Sequence, residues 1–176
     1  MPAFGKSKGE RVYFFEGMMN HFFEFELDFV ESLRCIPMLV RYKLDTCGIK
    51  LKLSQWHQFT TPEREMLVDL PCVTEAEVNH YRQLLQEWIL TKTGEMAKEL
   101  PVDPAPPWMD PTQIPGSVAQ QGEKVGVVIS LTQWQQLTPI QRFALIKLSR
   151  SDHENRNFLP AIREFQLVSE LIYRDH

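Results

Sequence analysis

The residue types that most often carry chemistry are present in this 176-residue chain, but their spacing matches no catalytic or metal-binding motif. The five histidines and three cysteines form no CxxC, HxxxH or HExxH pattern, which zinc sites commonly use. The chain also lacks a phosphate-binding loop, a dinucleotide-binding glycine pattern and a GxSxG turn. We therefore predict no metal, no cofactor and no catalytic residue. The cysteines are too few for a disulfide scaffold and are expected to be buried structural thiols: Cys35, Cys47 and Cys72.

A charge boundary near residue 31 marks the first candidate binding surface. Residues 21–31 carry four acids and no base, whereas residues 32–52 carry five bases and one acid. The five bases are Arg34, Arg41, Lys43, Lys50 and Lys52. They either neutralise the acids of residues 21–31 within the fold or, where exposed, form a docking patch for an acidic partner.

The second candidate surface is the polar run HENRN that precedes the last predicted helix. From this run we take His153, Asn155 and Arg156 as partner-binding candidates. Asparagine and arginine can offer several directed donors to a carboxylate, a phosphate or a partner's backbone. The alternative is a local role, in which Asn157 caps the final helix and Arg156 pairs with a neighbouring acid.

Two segments of the chain resemble each other at an offset of 78 residues. GIKLKLSQWHQFTTPEREMLVDL (48–70) aligns without gaps with GVVISLTQWQQLTPIQRFALIKL (126–148), and nine of the 23 positions are identical. We interpret the match as an ancestral duplication. The aligned residues that we expect to act as structural anchors are Trp56 with Trp134 and Arg64 with Arg142. The alternatives are cofactor-stacking rings for the tryptophans and anion ligands for the arginines.

Each copy predicts a helix–turn–helix unit. Ser54 and Thr132 stand where the first helix would take its N-cap. Thr60 and Thr138 are each followed three residues later by Glu or Gln, which is the pattern of a capping box. The second helix of each copy (EREMLVDL and QRFALIKL) is poor in side chains that could read DNA bases. We therefore predict no DNA binding.

Alternating apolar residues predict short strands at 48–53 and 126–131, which should pair with each other or with residues 22–27. The run 22–27 itself alternates and favours a strand. Pro37 cannot lie in mid-helix, so a new helix is predicted after it, ending at Gly48.

The whole pattern predicts a mainly α protein with two related helix–turn–helix halves and short β segments, joined by a proline-rich linker. The predicted divisions are a flexible N-terminus (1–20), a first helical half (21–93), the linker (94–125) and a second helical half (126–176). The linker is expected to be extended, with Trp108 anchoring it to the body or serving as an exposed docking side chain. The last helix is predicted from Phe158 to Ile172. We expect one compact unit.

Charge and composition narrow the function classes further. Nineteen basic and 23 acidic residues give a net charge of −4, which disfavours general affinity for nucleic acid or anionic membranes. No apolar run is long enough for a signal peptide or a membrane span. Together with the cysteine usage, these features predict a cytoplasmic protein.

The run FEFELDFVESLRCIPM, followed by VRYKLDTCGIKLKLSQW, resembles the nitrate reductase-associated protein family of cyanobacteria and some other bacteria. PEREMLVDLPC, LTQWQQLTPIQRFALIKLSR and HENRNFLPAIREF extend the resemblance, which covers Phe23 to about Phe165 outside most of the linker. Met18 and Met19 directly precede it, so a later native start is an alternative to Met1.

The resemblance implies a partner, nitrate reductase, and a role in its maturation or assembly. That enzyme carries a molybdenum cofactor and an iron–sulphur cluster, whereas the family has no agreed catalytic motif from which residues could be transferred. The leading hypothesis is thus a non-catalytic accessory protein. The alternatives are a carrier or enzyme that handles the molybdenum cofactor, and a stable structural subunit of the reductase.

Overall fold

The computed structural model describes residues 21–30, 32–150 and 155–168, and the predicted flexible segment 1–20 lies outside them. Within these ranges the protein is mainly helical, with one two-stranded antiparallel sheet. Its α-helices there are α1 (Leu27–Val30), α2 (Met38–Cys47), α3 (Leu53–Trp56), α4 (Thr61–Asp69), α5 (Glu75–Thr93), α6 (Gly116–Lys124), α7 (Leu131–Gln136), α8 (Pro139–Arg150) and α9 (Phe158–Glu164). The strands are β1 (Ile49–Lys50) and β2 (Lys98–Glu99), and 3-10 turns cover Glu24–Glu26, Pro107–Met109 and Asn155–Asn157. Across the described residues, every helix is too short or too polar to be a candidate membrane span.

Helix α2 is central because it contributes to both hydrophobic clusters of the molecule. Val40 is buried in the cluster built by the first half, and Met38 is buried in the cluster built by the second half. On the same helix, the Tyr42 ring meets the Phe143 ring edge-on, with centroids 5.3 Å apart. The two cores are therefore joined through one helix.

The predicted ends of α2 are confirmed. Pro37 is its N-cap, and Gly48 ends it in the left-handed region with φ 74°. Glycine is required there for a second reason, because a Cβ at Gly48 would lie 2.6 Å from the carbonyl oxygen of Leu100. The Leu100 N–H donates to the Gly48 carbonyl at 2.8 Å. Gly48 thus ends the helix and admits the chain that pairs with β1.

The capping boxes predicted for the second helix of each related segment are present. The Thr60 N–H donates to Glu63 Oε2 at 2.7 Å, and the Thr138 N–H donates to Gln141 Oε1 at 2.9 Å. Both threonine hydroxyls accept from the backbone N–H three residues later at 3.3 Å. These bonds satisfy donors that a helix start otherwise leaves unpaired.

The predicted N-caps Ser54 and Thr132 are wrong, because the first helix of each segment begins two residues earlier than expected. The caps are Lys52 and Ser130. At both, the cap N–H donates to the side-chain oxygen of the glutamine three residues later at 2.9 Å. The two segments share this local pattern, and their origin by duplication stays a prediction.

The predicted strand pairing is wrong in its partner. Strand β1 pairs antiparallel with β2, so that Ile49 lies opposite Glu99 and Lys50 lies opposite Lys98. Residues 127–130 form no strand. The partner is supplied by the chain that follows α5, because this long helix returns the backbone to the side of β1.

The strand predicted at 22–27 is also wrong, since these residues enter a 3-10 turn followed by α1. The carboxylate of Glu164 accepts the N–H groups of Glu24 and Phe25 at 2.9 and 3.1 Å. It thereby satisfies donors at the start of the turn. The rings of Phe23 and Phe25 stack with centroids 5.2 Å apart. A distant carboxylate and an aromatic cluster thus override the local alternation.

The linker at 94–125 is not extended throughout, because it contains β2 and the helix α6. Val118 of α6 is fully buried in the second-half cluster. Trp108 packs edge-on against Phe143, with centroids 5.1 Å apart, and so anchors the linker to the body. Helix α6 forms because it buries apolar side chains such as Val118. The prolines of the linker lie elsewhere and do not prevent it.

The last helix is shorter than predicted, ending at Glu164 rather than Ile172, which lies outside the described residues. Gln166 adopts a left-handed φ of 57°, and the Leu167 N–H donates to the Ile162 carbonyl at 3.0 Å. This is a Schellman ending built without the usual glycine, so the sequence carried no signal for it.

Candidate partner-binding groove

The two aligned tryptophans lie fully buried in separate clusters. Trp56 Nε1 donates to the Leu33 carbonyl at 2.7 Å, and Trp134 Nε1 donates to the Asp110 carbonyl at 3.1 Å. Each indole therefore ties its short helix to the segment that precedes the repeat copy. Their full burial favours the anchor interpretation over that of cofactor-stacking rings.

The aligned arginines donate to backbone carbonyls. Arg64 contacts the carbonyl oxygens of Trp56 and Leu33, each at 3.2 Å. Arg142 contacts those of Trp108 at 2.8 Å and Trp134 at 3.4 Å. Both guanidinium groups thus hold the end of a tryptophan-bearing helix, which is the behaviour of a structural anchor.

Lys43, predicted as part of a docking patch, is not on the surface. Its side chain is buried, and Nζ donates to the carbonyl oxygens of Val68 at 2.6 Å and Leu70 at 2.5 Å. Burial lowers the pKa of this amine below its ordinary value. The prediction is wrong because Lys43 binds the carbonyl-bearing end of α4, where helix carbonyls have no partner of their own.

A cleft of about 500 Å³ lies beside the β1–β2 pair, and we call it the Leu53 cleft. Its apolar wall includes Ile36, Leu51, Leu53 and Leu100, and its basic members are Arg41, Lys50 and Lys147. Leu53 is 50% exposed and Leu100 is 39% exposed. Lys147 forms an ion pair with Asp45 at 2.7 Å.

A second cleft of about 380 Å³, the Glu26 cleft, lies between the N-terminal turn, α2 and the 3-10 turn before α9. Phe25, Phe29 and Leu148 supply apolar surface, and the ionisable side chains are those of Arg41, Arg156, the exposed Asp28 and the buried Glu26. Cys35, Ile36 and Arg41 line both clefts. The two depressions therefore adjoin and form one groove.

The groove brings together residues from both surfaces predicted from the sequence. Arg41 and Lys50 come from the basic segment, and Arg156 comes from the polar connection. Lys52 is exposed next to the Leu53 cleft, and Arg34 is exposed but lines neither cleft. The structure thus unites only part of each predicted set.

Of the polar connection, His153 lies outside the described residues. Asn157 occupies the N-cap position of α9, but its side chain makes no capping bond, so the expected local role is wrong for it. Asn155 is half-buried, and its Oδ1 has no hydrogen-bond partner among the described residues. Asn157 and exposed Arg156 face the Glu26 cleft.

Glu26 is a charged residue of this groove that the sequence did not single out as a binding candidate. Its side chain is 1% exposed, and Oε1 accepts the Met38 N–H at 3.2 Å. Oε2 is buried and has no hydrogen-bond partner in the described part of the chain. Burial raises the pKa of this carboxyl to about 7, against the opposing effects of the Met38 N–H and of Arg41.

Two of the three cysteines, Cys47 and Cys72, are unreactive because they are buried. Burial raises the pKa of the Cys47 thiol to about 12 and that of Cys72 to about 11. Both are therefore protonated at neutral pH, and the thiolate is the reactive form. Cys35 is half-buried in the groove. Among the described residues, no three His, Cys, Asp or Glu side chains are grouped so that they could hold a metal ion.

Sequence reasoning also missed the apolar side chains that the groove exposes. The alternation predicts a strand that includes Leu53, in which period two would bury Leu53 together with Ile49. It is instead the first residue of α3 and points away from the core. The aligned Leu131 begins α7 and is 45% exposed. Had both leucines been interpreted as the first residues of helices, the exposure of Leu53 could have been predicted.

Fold and groove define a mainly helical protein with an open groove that combines apolar side chains with positive charge. The sequence profile of the conserved nitrate reductase-associated protein family matches residues 22–165. The chain belongs to this family, whose description names an association with nitrate reductase. Searches of curated proteins and of solved structures gave no significant match.

Proposed function

We propose that this chain is a non-catalytic accessory protein that binds nitrate reductase in the cytoplasm and assists its maturation. The observation that carries the proposal is the groove, an open surface on which the two predicted binding surfaces meet at Arg41. Family membership supplies the partner. Apolar side chains bordered by charged groups are typical of surfaces that bind another protein.

The environments of the chemically capable side chains support a non-catalytic role. Lys43, Arg64 and Arg142 donate to backbone carbonyls, and thereby hold helix ends. Cys47 and Cys72 are held as thiols. The Glu26 carboxyl has a pKa suited to proton transfer, but its unbonded oxygen is buried, and a general acid must reach its substrate.

One observation favours a second candidate, a carrier for the molybdenum cofactor. The Glu26 cleft has a volume in the range of small-molecule sites, and Arg41 and Arg156 both line it. Guanidinium groups bind phosphates in bidentate geometry. This candidate predicts that pterin travels with the purified chain.

A pull-down from nitrate-grown cells tests the proposal. The tagged chain should capture nitrate reductase, and should capture the cofactor-free enzyme more strongly than the active holoenzyme. Pterin fluorescence and metal content of the eluate give the second readout. Pterin bound to the chain alone would favour the carrier, stoichiometric recovery with active enzyme would favour a structural subunit, and no recovery of reductase would refute the proposal.

A further inference from the structure

We infer that the Leu53 cleft and the lysines beside it dock an acidic segment of nitrate reductase that carries apolar side chains. The inference rests on the proposed function and names the part of the surface and the chemistry of the segment it receives. The lysines beside the cleft are Lys50, Lys52 and Lys98, and all three are exposed.

The first argument comes from the two aligned segments. Leu53 and Leu131 are the first residues of short helices that begin with the same hydrogen-bond pattern. At the positions aligned with Lys50 and Lys52, the second segment has Val128 and Ser130. The helix start therefore forms without a lysine at the cap position, and local folding does not explain Lys52; Lys50 lies in β1, to which no strand at residues 127–130 corresponds.

The second argument is the register of the sheet. Lys50 lies directly opposite Lys98, so two ammonium groups project from the same face of a two-stranded sheet. Like charges at directly opposed positions destabilise a strand pair. Ile49 on the other face is buried, which directs Lys50 towards solvent. An anionic segment bound across this face would remove the repulsion.

The third argument is the combination of apolar and basic surface. On the wall of the Leu53 cleft, Leu53 is 50% exposed and Leu100 is 39% exposed. Lys147, the other lysine of the cleft, is already neutralised by Asp45 at 2.7 Å. Among the described residues no carboxylate pairs with Lys50, Lys52 or Lys98, so the charge that a partner could neutralise lies on the sheet side. A complementary segment places apolar side chains in the cleft and carboxylates over Lys50 and Lys98.

The chain offers its own matched control. Leu53→Glu and Leu131→Glu introduce the same charge at aligned, similarly exposed helix starts, but only Leu53 lines the cleft. We expect L53E to weaken binding to purified, cofactor-free nitrate reductase by about tenfold or more, and L131E to stay within about twofold of wild type. The double variant Lys50→Glu with Lys52→Glu should bind more slowly and show a weaker dependence on salt.

Hydrogen exchange of the wild-type complex gives a second readout, which does not depend on whether any variant folds correctly. Amides at 49–53 and 98–100 should gain protection on binding, whereas those at 127–131 should not. Equal losses in L53E and L131E, or no protection at 49–53 and 98–100, would overturn the inference while leaving the proposed function intact. If the wild-type chain binds neither cofactor-free nor active reductase, the proposed function fails and the inference falls with it.

Discussion

Glu26 has the most unusual environment of the described carboxyl groups. It is buried, one of its oxygens is unbonded among the described residues, and burial raises its pKa to about 7. Because the folded chain holds this proton more tightly than the unfolded chain, the contribution of Glu26 to stability is fully present below the ordinary value of 4.5. It is lost as the pH rises through about 7.

Glu26→Gln should therefore become more stable relative to wild type as the pH rises. The amide oxygen can still accept the Met38 N–H, and the side chain cannot ionise. Between about pH 5 and pH 8 we expect the difference in free energy of unfolding to grow by about 2 to 3 kcal/mol in favour of the variant. Urea unfolding at each pH measures it, with Glu24→Gln on the same turn as the control. A difference that does not change with pH would contradict the assigned pKa.

At the scale of elements, the β1–β2 pair combines a stabilising bond pattern with an unfavourable charge pair. Its backbone is fixed by Gly48, whose carbonyl accepts the Leu100 N–H at 2.8 Å. In this pair the two lysines Lys50 and Lys98 lie directly opposite each other. A feature that costs stability and is not needed for the fold is expected where binding requires it.

Lys98→Glu should expose this conflict by raising stability while weakening the binding of nitrate reductase. The new carboxylate would face Lys50 and replace a repulsion by an attraction, for a gain of about 0.2 to 1 kcal/mol. Urea unfolding measures the gain, which should shrink in high salt because exposed charges are screened. Lys98→Gln removes the repulsion without adding an ion pair, so its free energy of unfolding should lie between those of wild type and Lys98→Glu. Tighter reductase binding by Lys98→Glu would count against an acidic partner segment.

At the scale of the whole molecule, α2 makes the two halves dependent on each other. Met38 and Val40 belong to different hydrophobic clusters although they lie on the same helix. The Asp45–Lys147 ion pair and the contact between the Tyr42 and Phe143 rings cross the same boundary. Loss of either cluster would therefore expose one side of α2 and weaken the other cluster.

The two halves should accordingly unfold in a single transition. Hydrogen exchange at increasing urea should give the same midpoint for amides of α5 in the first half and of α8 in the second. Lys147→Ala, which removes the charged contact across the boundary, should lower both midpoints together. Opening of α8 at clearly lower urea than α5 would show two independent units instead.

The sequence by itself determined the features whose causes lie within a few residues. The helix between Pro37 and Gly48 follows from a ring that cannot continue a helix and a glycine that can adopt a positive φ. The capping boxes at Thr60 and Thr138 follow from pairs of residues three positions apart. Burial of Trp56 and Trp134 follows from their size and helical context.

Only the tertiary structure decided the features that depend on distant residues. The N-terminal turn forms where the alternation favoured a strand, because Glu164, 140 positions away from Glu24, satisfies its backbone N–H. Strand β1 pairs with a strand that follows α5, and the groove brings together Arg41 of the first half and Arg156 of the second half. Period and propensity describe neighbours along the chain, whereas burial and charge environment depend on which segments meet in space. The buried carboxyl of Glu26 and the exposed Leu53 therefore became visible only in the folded protein.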